Sequence, residues 1–205
     1  MKAIQGIFSA VMVAVLWFLA GCVNLEPTRD TVRWHLLQPA VEIDSEESPE
    51  ASEERAWFVR SVRLPDYLQG NRMLYYSKER GVVYAERNFW AEPFADGVGR
   101  FFASELAQTT GQMVAYHPVS RKSSGEVGVL LSFSRLDPVE GKGLVVDVMV
   151  EQSFPAQDSS RDGNRERQRY RFVYGDGDYA EASRIVADIE AALTELARRV
   201  AAEGA

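Results

Sequence analysis

The segment Leu144-Val-Val-Asp-Val-Met-Val-Glu151 places an apolar residue at every second position from Leu144 to Val150. This period of two is typical of a β-strand with one face in the core. The same period runs through residues 127–134 and 167–174, and stretches containing Pro and Gly separate the three segments. Three consecutive segments of this kind predict an antiparallel meander.

Four more strands are predicted upstream of the meander, which makes the chain rich in β-structure. They cover residues 31–37, 57–64, 73–77 and 82–87. In the first of these segments, Val32, Trp34 and Leu36 share one face because they are two residues apart.

Two amphipathic helices complete the domain. The first follows Pro93 and ends near Gly111, and its apolar stripe consists of Phe94, Val98, Phe101, Phe102 and Leu106. The second covers residues 179–202, with Asp178 and Glu181 as an approximate capping box. The predicted fold class is α+β: a single domain in which an antiparallel sheet carries two main helices on one face.

The N-terminus has the features of a secretion signal. Lys2 precedes an uncharged run from Ala3 to Ala20, and Leu19-Ala20-Gly21-Cys22 looks like a bacterial lipobox. We therefore expect residues 1–21 to be a lipoprotein signal peptide and Cys22 to carry the lipid. Residues 22–30 would be a tether and residues 31–205 the folded domain. An uncleaved transmembrane anchor is the alternative, since the whole uncharged run from Ala3 to Asn24 is about long enough to span a bilayer.

The residue after Cys22 is Val23, not the Asp that typically signals retention at the inner membrane. We therefore expect the mature protein at the periplasmic face of the outer membrane of a Gram-negative bacterium.

Composition excludes several classes of function. The formal net charge is −7, which does not favour nucleic-acid binding. With one cysteine and two histidines, the chain has no disulfide framework, thiolate metal site or histidine-based catalytic centre. We expect no catalytic residues, no metal and no cofactor, and hence no enzyme.

Two charged segments allow more than one interpretation. Residues 42–55 contain seven acids and no large apolar residue after Ile43, which favours a solvated flexible loop over a calcium-binding segment. A basic cluster consists of Arg161, Arg165, Arg167, Arg169 and Arg171. These arginines could contact lipid phosphates or an acidic partner, or form a solvated face balanced by nearby acids.

Several motifs together resemble those of the ABC-type transport auxiliary lipoproteins, the PqiC-like family. They are the lipobox, Trp34-His-Leu36, Leu64-Pro-Asp-Tyr-Leu68 and Trp90-Ala-Glu-Pro-Phe94. The family often has Tyr at the position of Trp34 and Leu at the position of Phe94, so both departures remain apolar.

This resemblance implies a lipid-anchored accessory subunit of an Mce-type ABC lipid transport system, which anchors or caps a trans-periplasmic conduit at the outer membrane. The implied partners are the membrane and Mce-domain or transporter subunits; phospholipid binding and homo-oligomerisation stay open. The candidate partner surface consists of Tyr67, Leu68, Trp90 and Phe94, although Trp90 and Phe94 could instead pack where the sheet meets the first helix.

Two other functions stay open at this point. The first is an envelope-assembly lipoprotein that binds other outer-membrane proteins. The second is a lipid-binding module with its own acyl cavity, which Phe94, Phe101 and Phe102 could line or could simply fill as core.

Deleting residues 44–54 should change the melting temperature of the protein little, because a solvated loop contributes few packed contacts. Thermal unfolding of the full and shortened chains measures this. A large fall in melting temperature would show that the acidic segment is packed against the domain.

Overall fold

The computed structural model describes residues 31–39, 57–112, 114–116, 127–154 and 164–204, and this part of the chain contains eight strands and two α-helices. In chain order they are β1 (Arg33–His35), β2 (Trp57–Arg63), β3 (Arg72–Ser77), β4 (Gly81–Trp90), α1 (Phe94–Thr110), β5 (Val114–Tyr116), β6 (Val127–Val139), β7 (Gly143–Ser153), β8 (Arg165–Tyr174) and α2 (Ala182–Gly204). A short 3-10 turn, Asp66–Leu68, follows β2.

The predicted meander is confirmed. Strand β6 pairs antiparallel with β7, and β7 pairs antiparallel with β8 along its whole length. Leu131 lies opposite Val150, and Val148 lies opposite Tyr170. These side chains, which share one face of the sheet, are at most 6% exposed.

The α+β class is confirmed as well, and the sheet that we expected to be antiparallel is mixed. Strand β2 runs parallel to both β5 and β6, β3 meets β6 in parallel at Tyr76 and Val139, and β1 runs parallel to β4. The chain between β2 and β6 passes through α1, and a crossover of that length permits parallel pairing. A period of two in the sequence indicates a strand but not its direction, so the sequence could not show this.

Both helices pack on one face of the sheet, as predicted. The buried side chains of α1 and α2 form one core with the inward residues of β6 and β7. One hydrogen bond joins the two helices, from Thr194 of α2 to Glu105 of α1 at 2.9 Å. Another joins the sheet to the helices, from Gln152 of β7 to the carbonyl of Val200 at 3.3 Å.

The helix ends agree with the sequence at α1 and differ at α2. Gly111 has φ +65°, the left-handed conformation expected after a helix. Helix α2 begins at Ala182, three residues later than predicted, and the predicted capping box is wrong. Tyr179 is instead buried, with its hydroxyl donating to Asp188 at 3.0 Å, while Asp178 accepts from the amide of Ala180.

Helix α1 approaches β5 so closely that only glycine fits at the contact. A Cβ atom on Gly99 would lie 2.3 Å from the ring of Tyr116, whose hydroxyl donates to Asp96 at 2.9 Å. The ring is therefore held at both ends and cannot easily move away.

We predict that Gly99→Ala lowers the free energy of unfolding by about 1–3 kcal/mol, the usual cost of overpacking. Gly97→Ala is the matched control, because its Cβ would meet only the flexible side chain of Glu92 at 3.0 Å. Both variants gain about 1 kcal/mol of helix propensity, so urea unfolding isolates the contact with Tyr116. Equal stability of the two variants would contradict the prediction.

Candidate partner interface

The face of the sheet opposite the helices carries most of the charge of β7 and β8. Because side chains alternate, Val148 and Val150 point into the core while Asp147, Met149 and Glu151 point away from it. We call this surface the helix-free face. It also includes the arginines of β8, namely Arg165, Arg167, Arg169 and Arg171, since each alternates with a residue on the helix side.

Ion pairs across β7 and β8 form a ladder on this face. Arg169 binds Asp147 through two hydrogen bonds of 2.7 Å, and Arg171 donates to the same carboxylate at 3.2 Å. Arg167 donates to Glu151 at 2.7 Å, with Arg165 at 3.9 Å from the same acid. The antiparallel register positions these pairs, because Asp147 lies opposite Arg171 and Glu151 lies opposite Arg167.

The ladder is basic overall. Four guanidinium groups share two carboxylates, which leaves a surplus of two positive charges in a chain whose net charge is −7. The hydrogen bonds from Arg169 hold the pKa of Asp147 below its usual range. Nearby acids therefore balance the basic cluster only in part, and Arg161 lies outside the described residues.

A buried carboxylate, that of Asp137, lies near the C-terminal end of β6. Asp137 is 2% exposed and accepts hydrogen bonds of 2.7 Å from the Tyr67 hydroxyl and from Arg135 Nε. Burial and this hydrogen bond raise the pKa of Tyr67 well above its ordinary value. The hydrogen bond from Tyr67 fastens the 3-10 turn Asp66–Leu68 to the sheet. Together with the bond from Arg135, it satisfies the buried carboxylate of Asp137.

The structure separates the residues expected to form a partner surface. Tyr67 is 40% exposed, whereas Leu68, Trp90 and Phe94 are buried in the core. The rings of Trp90 and Phe94 stack with centroids 4.4 Å apart, so they join the sheet to the start of α1. Of this set, only Tyr67 offers surface in this structure, and Cys22 lies outside the described residues.

The two histidines of the chain are the remaining residues to consider for catalysis or metal binding. His35 forms a hydrogen bond of 2.9 Å with Asn88, and His117 is not among the described residues. In the described part of the chain no three His, Cys, Asp or Glu side chains gather as they would around a metal ion. No helix there is long and apolar enough to cross a membrane.

Sequence reasoning missed a second surface, on β1, β3 and β4. Trp34 is 61% exposed and its ring lies 5.4 Å from that of Phe89, while the guanidinium of Arg72 lies 4.1 Å from the centre of the Tyr84 ring. Arg72 and Phe89 are paired in the register, so these side chains are contiguous. We call Trp34, Phe89, Tyr84 and Arg72 the aromatic patch. The alternation around Trp34 indicated a shared face, but not that this face points to solvent.

The pocket between β7, β8 and α2 is too small for a lipid chain. It measures about 20 Å³ and is lined by polar groups that include Gln152, Gln168 and Glu203. Such a volume accommodates about one water molecule. The apolar side chains Phe101 and Phe102 of α1 are buried in the core, at 2% and 0% exposure.

Comparison with known proteins gives a consistent result. A family model described as "ABC-type transport auxiliary lipoprotein component" matches residues 35–201. The chain is 30% identical over 110 residues to "Intermembrane transport lipoprotein PqiC" of Escherichia coli (strain K12) and of Shigella flexneri. The match covers 53% of this chain and 56% of each relative, so it spans about half the length of those proteins.

The fold is also found in a solved structure. A crystal structure of an uncharacterized protein superposes with a TM-score of 0.61 at 16% identity and covers 84% of this chain and 97% of that one. At this identity the likeness concerns the fold alone.

The ladder makes stability depend on pH in a defined direction. Because its folded pKa is lowered, ionised Asp147 stabilises the protein above about pH 4, and this contribution is lost as the pH falls through the folded pKa. We expect Asp147→Asn to be slightly less stable than the wild type at pH 7 and to become equal to it once the pH falls below the lowered, folded pKa of Asp147. Urea unfolding across this range measures the difference.

Arg169→Gln should show part of this loss, because Arg171 still donates to Asp147. The losses of the two single variants should not add in the double variant, because both substitutions remove the Arg169–Asp147 pair. A difference between wild type and Asp147→Asn that persists at low pH would contradict the assignment.

Proposed function

Because this chain belongs to the family of ABC-type transport auxiliary lipoproteins, we propose that it is a lipid-anchored accessory subunit of an Mce-type ABC lipid transport system. In this role it anchors or caps a trans-periplasmic conduit at the outer membrane. The observation that carries the proposal is the extent of the family match, residues 35–201, which covers the folded domain from β1 almost to the end of α2.

The membrane attachment rests on Cys22 and on the residues around it. A lipobox cysteine receives a diacylglyceryl group and, after cleavage, a further acyl chain, so that several chains enter the bilayer together. One acyl chain binds a membrane only marginally and reversibly, whereas two or more give stable anchoring. Val23 in place of Asp supports the outer membrane as the destination.

The helix-free face is where we place the protein partner. Its ladder exposes guanidinium groups beyond those that its own carboxylates neutralise, with side-chain exposures of 52%, 65% and 63% for Arg165, Arg167 and Arg171. Guanidinium groups bind carboxylates through paired hydrogen bonds, so this face fits an acidic surface on an Mce-domain or transporter subunit. Arginine is also enriched among the residues that dominate interface energies.

The alternatives make different demands on the molecule. A lipid-binding module needs an apolar cavity, and the phenylalanines that could line one, Phe94, Phe101 and Phe102, are packed in the core. An envelope-assembly lipoprotein would use the same anchor with a different partner. The partner therefore decides between the functions.

Site-specific photo-crosslinking in cells tests the proposal. A photoreactive amino acid at position 167 on the helix-free face should capture an Mce-domain protein, and the same probe at Arg198, an exposed residue of α2, should not. Capture of outer-membrane assembly proteins alone would contradict the transport role. In the Cys22→Ser background we expect an uncleaved precursor in the inner-membrane fraction and loss of the crosslink; normal outer-membrane fractionation would contradict the anchor.

A further inference from the structure

Exposed apolar side chains are concentrated on one part of the sheet. In the described part of the chain, five of the eight large apolar residues with substantial exposure belong to the segments of β1 and β4, namely Val32, Trp34, Leu36, Val82 and Tyr84. A soluble domain normally turns the apolar face of a strand inward, and contiguous exposed apolar surface marks a site of contact. Here β1 does the reverse, with its apolar face in solvent.

The aromatic patch is fixed in place before anything binds it. Trp34 leans against Phe89, and Arg72 lies over the Tyr84 ring as a cation–π contact. The pairing of Arg33, Trp34 and His35 with Asn88, Phe89 and Trp90 holds β1 against β4. Trp90 on the opposite side of the same strand is buried, so the core holds the strand that presents the patch.

The patch is also the part of the described domain nearest in sequence to the lipid. Residues 22–30 lie between the expected lipid on Cys22 and the first described residue, Thr31. Nine residues span at most about 30 Å when fully extended. Trp34 follows three residues later, so the anchor confines the patch to the vicinity of the bilayer surface.

We propose that the aromatic patch docks on the phospholipid surface of the membrane to which the protein is anchored. This inference rests on the proposed function, since it requires the lipid on Cys22. Tryptophan and tyrosine favour the membrane–water interface because one end of each side chain is apolar and the other is polar. The Arg72 guanidinium lies over the Tyr84 ring and supplies hydrogen-bond donors for lipid phosphate.

Docking of this kind gives the protein a second attachment point. The anchor makes the patch–bilayer contact intramolecular, so a weak contact is populated because of its high effective concentration. A domain held at two points has a defined orientation, which a flexible tether alone does not provide.

The tryptophans of the chain provide the test. Trp34 is exposed, Trp57 and Trp90 are 5% and 6% exposed, and Trp17 leaves with the signal peptide if cleavage occurs before Cys22. The mature lipoprotein is reconstituted into vesicles of phosphatidylethanolamine and phosphatidylglycerol containing phosphatidylcholine brominated near the headgroup end of its chains. Bromine quenches tryptophan fluorescence on contact, so we expect loss of the Trp34 emission and no loss in Trp34→Phe.

A matched reporter separates docking from mere tethering. In the Trp34→Phe background, Tyr174→Trp places an exposed reporter on β8, across the sheet from β1, and it should keep its emission. Equal quenching at positions 34 and 174, or no quenching at position 34, overturns the docking while mass spectrometry still finds the lipid on Cys22. An unlipidated mature protein overturns the proposed function and the docking with it.

Discussion

One-sided burial of the hairpin formed by β6 and β7 is the constraint on which the rest of this molecule depends. Every second residue of β7, from Leu144 to Val150, is at most 2% exposed in the core that the sheet forms with the helices. Burying a valine or leucine side chain is worth about 1.5–3 kcal/mol, so a shift of register by one residue would forfeit this burial and place Asp147 and Glu151 in the core. The apolar pattern therefore fixes which face is charged, and the register with β8 fixes which arginine meets which acid.

That dependence explains what could be read from the sequence and what could not. The meander and both helices follow from local periodicity, which is encoded within each segment. Strand direction and order depend on contacts between distant segments, so the parallel pairing of β2 with β6 was not visible. The apolar residues around Trp34 show the limit most clearly: alternation places them on one face, but only the position of β1 at the edge of the sheet determines that this face meets solvent.

The sequence also could not show which residues of the expected partner surface are exposed. Tyr67, Leu68, Trp90 and Phe94 are aromatic or apolar residues near turns, which is typical both of interface anchors and of residues that join core elements. The structure uses Trp90 and Phe94 to pack the sheet against α1 and uses the Tyr67 hydroxyl to satisfy the buried Asp137. The resemblance between motifs located the family correctly while saying nothing about which motif residues reach the surface.

The two surfaces proposed for binding lie at opposite ends of the strand order. Strand β1 is at one end, and β8 follows β7 beyond β6 at the other. If the aromatic patch rests on the bilayer, the arginine ladder lies at the opposite edge of the sheet, which leaves it open to the partner of the proposed function. A chain that is acidic overall then directs its locally basic surface toward that partner, which favours encounter with an acidic surface. Under the proposed function, anchor, patch and ladder would act together, because a subunit that holds a conduit at a membrane must fix its own orientation before it can fix that of its partner.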